Sequence, residues 1–283
     1  MLADLHLHTC YSDGSFTPEK LVEEAEKCGI GILSVCDHDT IAGCEEAELA
    51  CSKAGISFIP GVENTCKHKD YVLHILGYGY CANDELMAFI GRSEKLLLKM
   101  GDDLIEKMQL DYPAVSSEEF QTFTYDRTLG GWKALHYLLQ AKVITQLEEG
   151  IGFYHRYSCN YSDYPFPDVS EVCYMIRRAG GCTILAHPAN YFADMEKEEL
   201  FSVLDDLVSK GIDGLECYYP SHSAEFTDML LEYCNKKNLM VTAGSDSHGD
   251  FSKYAMGSVT VDTNLLNLGG LLNENSRHPR AKS

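Results

Sequence analysis

Apolar residues along the chain fall first into short runs separated by amphipathic stretches. Runs at 3–8, 30–36, 56–62 and 71–79 have strand length and are rich in Ile, Val, Leu or Phe. Between the first two lies Thr17-Pro18-Glu19-Lys20-Leu21-Val22-Glu23-Glu24-Ala25. Thr17 can cap a helix there, Pro18 suits the first helical position, and Leu21, Val22 and Ala25 make a buried stripe. A second helix is expected over 41–54. Strand, helix, strand, helix at this spacing predicts parallel pairing.

The same rhythm returns late in the chain. A helix over 170–179, closed by Gly180-Gly181, precedes the apolar run 182–186. Helix 197–210, strand 214–218, helix 224–237 and strand 239–243 follow, with a last candidate strand at 257–261. Seven or eight βα units result, the count of a closed barrel. The middle, 81–168, breaks the pattern with a long helix at 85–108, another at 129–141 and a Tyr- and Pro-rich loop at 154–167. The expected fold is α/β: a distorted barrel built from 1–80 and 169–262, a helical cap inserted at 81–168, and a tail at 263–283.

Composition fits a globular chain. Of 283 residues 45% are hydrophobic, enough for a full core, and no apolar run approaches membrane-spanning length. Strand-like sequence begins at Met1-Leu2-Ala3 without a basic and apolar leader, so the expected compartment is the cytoplasm. Twelve cysteines include no Cys-x-x-Cys pair and fall mostly in apolar stretches, as small buried hydrophobes of a reducing compartment do. The net charge of −20 argues against duplex nucleic acid, whose binders neutralise phosphates with Lys and Arg. The basic tail Arg277-His278-Pro279-Arg280-Ala281-Lys282 is expected to be solvated.

The histidines change the picture. His6 and His8 share one face of the first strand by period-two alternation, which aims both at a barrel axis. Asp13 follows in the next turn, His38 lies in Asp37-His38-Asp39 after the second strand, Glu63 ends the third, and His74 sits in the fourth. His187 in Ala186-His187-Pro188, and Asp246 and His248 in Ser245-Asp246-Ser247-His248, again mark strand ends. These nine candidate ligands, six imidazoles and three carboxylates, gather where barrel enzymes place their chemistry. Imidazole with carboxylate suits Mn, Fe, Zn or Co, and nine ligands exceed the needs of one ion, so two or three divalent ions are implied. Such ions bring about +4 to +6 against roughly −3 from the carboxylates, leaving a locally positive pocket that fits a phosphoryl group.

The string Asp4-Leu5-His6-Leu7-His8-Thr9, Tyr11-Ser12-Asp13-Gly14, Asp37-His38-Asp39, Gly61-Val62-Glu63, His74, Ala186-His187-Pro188 and Asp246-Ser247-His248 resembles the polymerase-and-histidinol-phosphatase (PHP) metallophosphoesterases. The resemblance implies a distorted (β/α)7 barrel with two or three divalent ions, manganese first, with iron or zinc as the others. It places His6, His8, Glu63 and Asp246 around one ion, and Glu63, His74 and His187 around a second. Asp13, His38 and His248 would hold a third ion or contact the substrate phosphate. Asp37 and Asp39 are expected to orient imidazoles.

His222, just after strand 214–218, joins Asp13 and His38 as a catalytic candidate, in its case to protonate the leaving oxygen. Small-molecule members of the family carry a cap whose basic residues grip a second phosphate. Arg92, Lys95, Lys99, Arg127 and Lys133 are the candidates here. Many relatives show Arg-x-His where this chain reads Gly131-Trp132-Lys133. The expected activity is hydrolysis of a small phosphate ester: a cyclic sugar phosphate such as phosphoribosyl 1,2-cyclic phosphate, toward which the altered cap leans, or a nucleoside 3′,5′-bisphosphate. Histidinol phosphate, a polymerase-associated exonuclease and a non-catalytic metal-binding regulator are the alternatives. No membrane partner is expected, and the oligomeric state is not legible.

Overall fold

The computed structural model describes residues 1–251 and 253–272; the basic tail singled out above lies outside the described residues. Eight strands are joined in the order β7-β6-β5-β4-β3-β2-β1-β8. They are β1 (Leu2–Leu7), β2 (Ile30–Val35), β3 (Ser57–His68), β4 (Tyr71–Tyr78), β5 (Cys182–Leu185), β6 (Gly214–Tyr218), β7 (Met240–Ala243) and β8 (Val261–Asp262). Helices α1 (Pro18–Lys27) and α2 (Cys44–Ala54) connect the first three strands, which pair in parallel as their spacing predicts. Thr17 accepts the backbone N–H of Lys20 and so caps α1, with Pro18 in its first turn. The second helix starts at Cys44, three residues later than expected, behind Gly43.

The fourth unit departs from the βα rhythm. β3 runs on to His68, turns at Lys69 in the left-handed region (φ 53°), and returns as β4 antiparallel to it. β4 is also antiparallel to β5, while β5, β6 and β7 pair in parallel through α8 (Ala189–Phe192), α9 (Lys197–Lys210) and α10 (Ala224–Lys237). The strand expected at 257–261 is confined to Val261–Asp262, because Gly257 (φ 78°) and the Ala255–Ser258 turn occupy its first half.

The ring closes through the segment after β7. The Asp246 N–H reaches His6 O at 2.8 Å, and the His8 N–H reaches Ser247 O at 3.0 Å. Buried Asp4 clamps the same segment, accepting the Ser245 N–H at 2.9 Å and its hydroxyl at 2.6 Å, while burial pushes the Asp4 carboxyl up to about 6. Inside the barrel, Ala3, Leu5, Ile59, Leu76, Tyr78 and Ile184 form an apolar floor. Leu7 packs outward among Leu21, Val22 and Ala47 of the helices instead. A register shift between Asp4 and Leu7 in the pairing with β2 accommodates this change of side, and His6 and His8 both stand on the floor.

The middle segment supplies α3 (Asp84–Met108), α4 (Ser117–Thr122), α5 (Lys133–Gln140) and α6 (Leu147–Arg156), before α7 (Val169–Arg178) returns to the barrel. The amino-terminal half of α3 buries Leu86, Phe89 and Ile90 with α7 in the barrel's outer core. Its other half buries Leu97, Met100, Leu104 and Ile105 in a separate cluster with Phe120, Tyr137 and Tyr164. One stiff helix thus belongs to two cores and fixes the cap's place over the barrel. The helix expected at 129–141 begins at Lys133, because Gly130 and Gly131 both take left-handed φ near 70°. The loop expected at 154–167 contains the end of α6 and a 3-10 turn at Tyr161–Asp163.

Closure depends on close approach at Gly244. A Cβ there would stand 2.2 Å from His6 Cβ and 2.6 Å from Glu216 Oε1. Gly244→Ala should therefore destabilise the fold by about 1–3 kcal/mol, the usual cost of overpacking a rigid interior. Thermal melting checks this, and an unchanged Tm would show that β7 can give way without opening the ring.

Candidate metal centre

Each strand end delivers one or two polar side chains into the same volume. Glu63, at the point where β3 leaves the barrel for the hairpin, is fully buried. Its Oε2 lies 3.3 Å from His6 Nε2, 3.3 Å from His8 Nε2 and 3.0 Å from His38 Nδ1. Its Oε1 lies 3.0 Å from His74 Nδ1 and 2.9 Å from His187 Nε2. Asp246 Oδ1 faces His8 Nε2 at 3.1 Å and His6 Nε2 at 3.5 Å. Asp13 Oδ1 faces His248 Nε2 at 3.3 Å, with His8 Nδ1 and His38 Nε2 each at 3.9 Å. Two candidate ligands take positive φ, His187 (33°) just after β5 and Asp246 (52°) in the closing segment, a costly conformation for residues other than glycine.

The structure therefore brings all nine candidate ligands together. Three groups have donor atoms within 4.8 Å of one another: His6, His8, Glu63 and Asp246; His38, Glu63 and His74; and His8, Asp13, His38 and His248. His38 belongs to two of them, closer to Glu63 than the family pattern suggested. The donor atoms also fit a cation. His6 Nε2, both nitrogens of His8, His38 Nδ1, Asp13 Oδ1, Glu63 Oε2 and Asp246 Oδ1 are buried without a hydrogen-bond partner. So many unsatisfied polar atoms in one place are costly unless divalent ions satisfy them.

Burial and mutual charge set the proton affinities of the unligated groups. Burial alone would raise Glu63 and Asp246, but the facing imidazoles hold both well below the usual carboxylate range. Burial takes His38 down to about 3, against the pull of Glu63 and Asp13. His248 goes the other way: Asp13 and Asp246 overcome its burial and push it to about 10.

Several supporting residues were not foreseen. Glu216 interrupts the apolar run of β6; its Oε1 faces His6 Nδ1 at 3.0 Å, which turns His6 Nε2 toward Glu63 and Asp246. Its other oxygen accepts the His187 backbone N–H at 2.7 Å. Tyr219 donates its hydroxyl to Asp246 Oδ2 at 2.9 Å. The one available signal was a carboxylate alone in a buried strand. Asp37 and Asp39 hold backbone rather than orient imidazoles. Asp37 accepts from the Thr9 N–H, the Thr9 hydroxyl and the Ser12 hydroxyl, bracing the turn that carries Asp13. Asp39 accepts from the Thr65 N–H at 3.1 Å.

The expected proton donor and phosphate clamp are, for the most part, paired elsewhere in the structure. His222 Nδ1 donates to Cys217 O at 2.9 Å, and Nε2 accepts the Ala189 N–H at 3.3 Å, so backbone takes both ring nitrogens. Arg92 is exposed and paired with Glu171, Lys99 with Asp103, and the Lys133 ammonium lies 4.4 Å over the Phe120 ring. Lys95 is exposed on α3. Arg127 alone among the five is seen to touch the site's periphery, donating to the carbonyls of Tyr11 and Ser12 beside Asp13. The cap instead presents aromatic surface. A cavity of about 380 Å³ starts at Asp13 and is walled by Trp132, Tyr154, Tyr161, Phe251 and apolar residues of α3, α5 and α6. Trp132 lies 6.1 Å from the His38 ring, and Tyr161 meets His74 edge-on at 5.8 Å.

Residues 4–254 match the PHP domain, and the chain belongs to that family. It is 29% identical to a 5′-3′ exoribonuclease of Haemophilus influenzae, over 87% of this chain and 89% of the relative. It is 26% identical to a phosphoribosyl 1,2-cyclic phosphate 1,2-diphosphodiesterase of Eggerthella lenta, over 89% and 96%. It is likewise 26% identical to a 3′,5′-nucleoside bisphosphate phosphatase of Chromobacterium violaceum, over 87% and 86%. Among solved structures, a Bifidobacterium adolescentis protein assigned as a metal-dependent phosphoesterase superposes with a TM-score of 0.77 at 28% identity, covering 93% of each chain. Among the described residues no helix is long and apolar enough to cross a membrane.

Two outcomes follow from the site's electrostatics. Glu63→Gln removes the one carboxylate that five imidazoles share, and should lower divalent metal retained after gel filtration by at least one ion per chain, measured by elemental analysis. In chelator-treated protein, Asp39 keeps its proton to about pH 7 because burial raises it from 3.8. The folded chain then binds the extra proton between those values, so its stability falls as pH rises through that window. Asp39→Asn should raise the urea midpoint at pH 8 and leave little difference at pH 4; equal gaps at both would place the Asp39 proton elsewhere.

Proposed function

We propose that this metal-dependent phosphoesterase hydrolyses a phosphate ester of a nucleotide, seating the base in the aromatic cavity and the phosphoryl group over the histidine cluster. The cavity carries the proposal: Trp132, Tyr154, Tyr161 and Phe251 wall it, and neither Lys nor Arg lines it. Stacking recognises a base through its flat face, whereas a cyclic sugar phosphate offers no such surface. This reverses the lean toward a cyclic sugar phosphate that the altered cap sequence suggested. The relatives named for nucleoside bisphosphate and for RNA support the same substrate class.

Divalent ions held by His6, His8, Glu63, Asp246, His74 and His187 would supply Lewis acidity to the phosphoryl oxygens and an activated water. Asp13, His38 and His248 would hold a third ion or the phosphoryl group at the mouth of the cavity. Glu216 and Tyr219 keep His6 and Asp246 aimed inward. Arg127 holds the cap against the turn that positions Asp13. Long polyanions meet a chain of net charge −20, which favours a short substrate.

Manganese-loaded protein should be compared on a nucleoside 3′,5′-bisphosphate, a short 5′-phosphorylated oligoribonucleotide and phosphoribosyl 1,2-cyclic phosphate. The bisphosphate should show the highest kcat/KM, and Trp132→Ala should raise its KM roughly tenfold, as loss of about 1–3 kcal/mol of base stacking requires. Preference for the oligonucleotide would keep the nucleotide class and lengthen the leaving group. Preference for the cyclic sugar phosphate would overturn the proposal.

A further inference from the structure

A phosphate ester with a sugar leaving group needs help at the departing oxygen, and none of the proposed ligands is free to give it. Ligand imidazoles are spent on ions, His222 is spent on backbone, and Tyr219 is committed to Asp246. A further donor stands at the junction of cavity and cluster. Tyr161 lines the cavity together with Asp13, and its ring meets His74 edge-on at 5.8 Å and an interplanar angle of 81°. Its hydroxyl makes no hydrogen bond among the described residues, although the ring is packed and the turn beneath it is tightly held.

That turn is built for precision. Asn160 and Asp163 close a reciprocal capping box, with the Asn160 N–H on Asp163 Oδ2 at 2.8 Å. Lys67 of β3 ties the turn to the barrel through Ser162 O at 2.7 Å. Phe166 packs on the Tyr161 ring at 5.8 Å. A side chain held from three sides, with its polar end unpartnered beside the reacting centre, is preorganised for a substrate atom. Tyr154 lines the same cavity but directs its hydroxyl toward Gly101 of α3, within 3.7 Å of where a Cβ there would stand.

Resting on the phosphoesterase reading above, we propose that the Tyr161 hydroxyl is a catalytic hydrogen-bond donor to the departing ester oxygen. Hydrolysis forms one P–O bond from water and breaks the ester P–O bond. The bonding pair leaves on the ester oxygen, and one proton of the water ends there. The neutral phenol donates its hydrogen bond to that oxygen while the charge grows. The contribution is large for a sugar alkoxide and small for a leaving group that carries its own charge well.

Tyr161→Phe keeps the ring and its packing and removes the donor. The variant is compared with the parent protein, both manganese-loaded, on a nucleoside 3′,5′-bisphosphate and on p-nitrophenyl phosphate. On the bisphosphate kcat should fall roughly 100-fold, within the range of a lost oxyanion donor. The loss on the nitrophenyl ester should be at least tenfold smaller. Bound manganese per chain and Tm, measured alongside, should match the parent, which separates the donor from a prop under His74. Equal losses on the two esters, no loss on the bisphosphate, or lost manganese would each overturn the assignment to Tyr161 while leaving the enzyme's class intact. A parent protein that hydrolyses neither ester would instead refute the nucleotide-ester reading of the site, and the role of Tyr161 with it.

Discussion

One buried carboxylate organises the molecule. Glu63 is fully enclosed and touches imidazoles that arrive on β1, after β2, on β4 and after β5. An ionised carboxylate in such a place is tolerated only with compensation, and compensation here comes from every side of the barrel at once. The hairpin that departs from the βα rhythm makes this possible. By pairing β4 against β3, it sets His74 on the strand next to Glu63, within 3.0 Å, where a crossover helix would have carried the next strand farther along the chain.

The ring must also close without a gap for His6, His8 and Asp246 to meet. Asp4 and Gly244 accomplish that in different ways. Asp4 grips the backbone and hydroxyl of Ser245, and Gly244 leaves room for His6 to lie against β7. Asp246 then enters on left-handed backbone, a strain that the closing hydrogen bonds overcome. Fold stability and site geometry are therefore set by the same contacts, and a change aimed at one moves the other.

The sequence was most informative where chemistry and secondary structure coincide. His6 and His8 two apart on a strand, Asp37-His38-Asp39 after the next, and Asp246-Ser247-His248 after the last are visible because polar ligands at strand ends are rare without a purpose. Glu216 was hidden by its own apolar neighbours, since a lone carboxylate in a strand has no signature until the strand has a partner. The cap cations misled for a related reason. Arg92 pairs with Glu171 of α7, a nearness that only packing reveals, whereas Lys99 pairs with Asp103 one turn along its own helix. Lys133 lies over an aromatic ring of α4, which no local pattern announces. The hairpin escaped because its two strands, read singly, look like any others.

Charge ties these observations together. A chain of net charge −20 repels anions at long range, yet its cluster of candidate ligands includes only three carboxylates, which two or three ions can more than offset. The positive potential needed for a phosphoryl group is then confined to the cluster itself. A cap bearing a second cationic clamp would widen that field and admit any compact polyanion. An aromatic cap leaves the field narrow and transfers discrimination to shape and stacking, with Trp132 near His38 and Tyr161 against His74 marking where the apolar wall meets the charged floor. On the nucleotide proposal, selectivity in such a site would come from the leaving group that the aromatic wall receives.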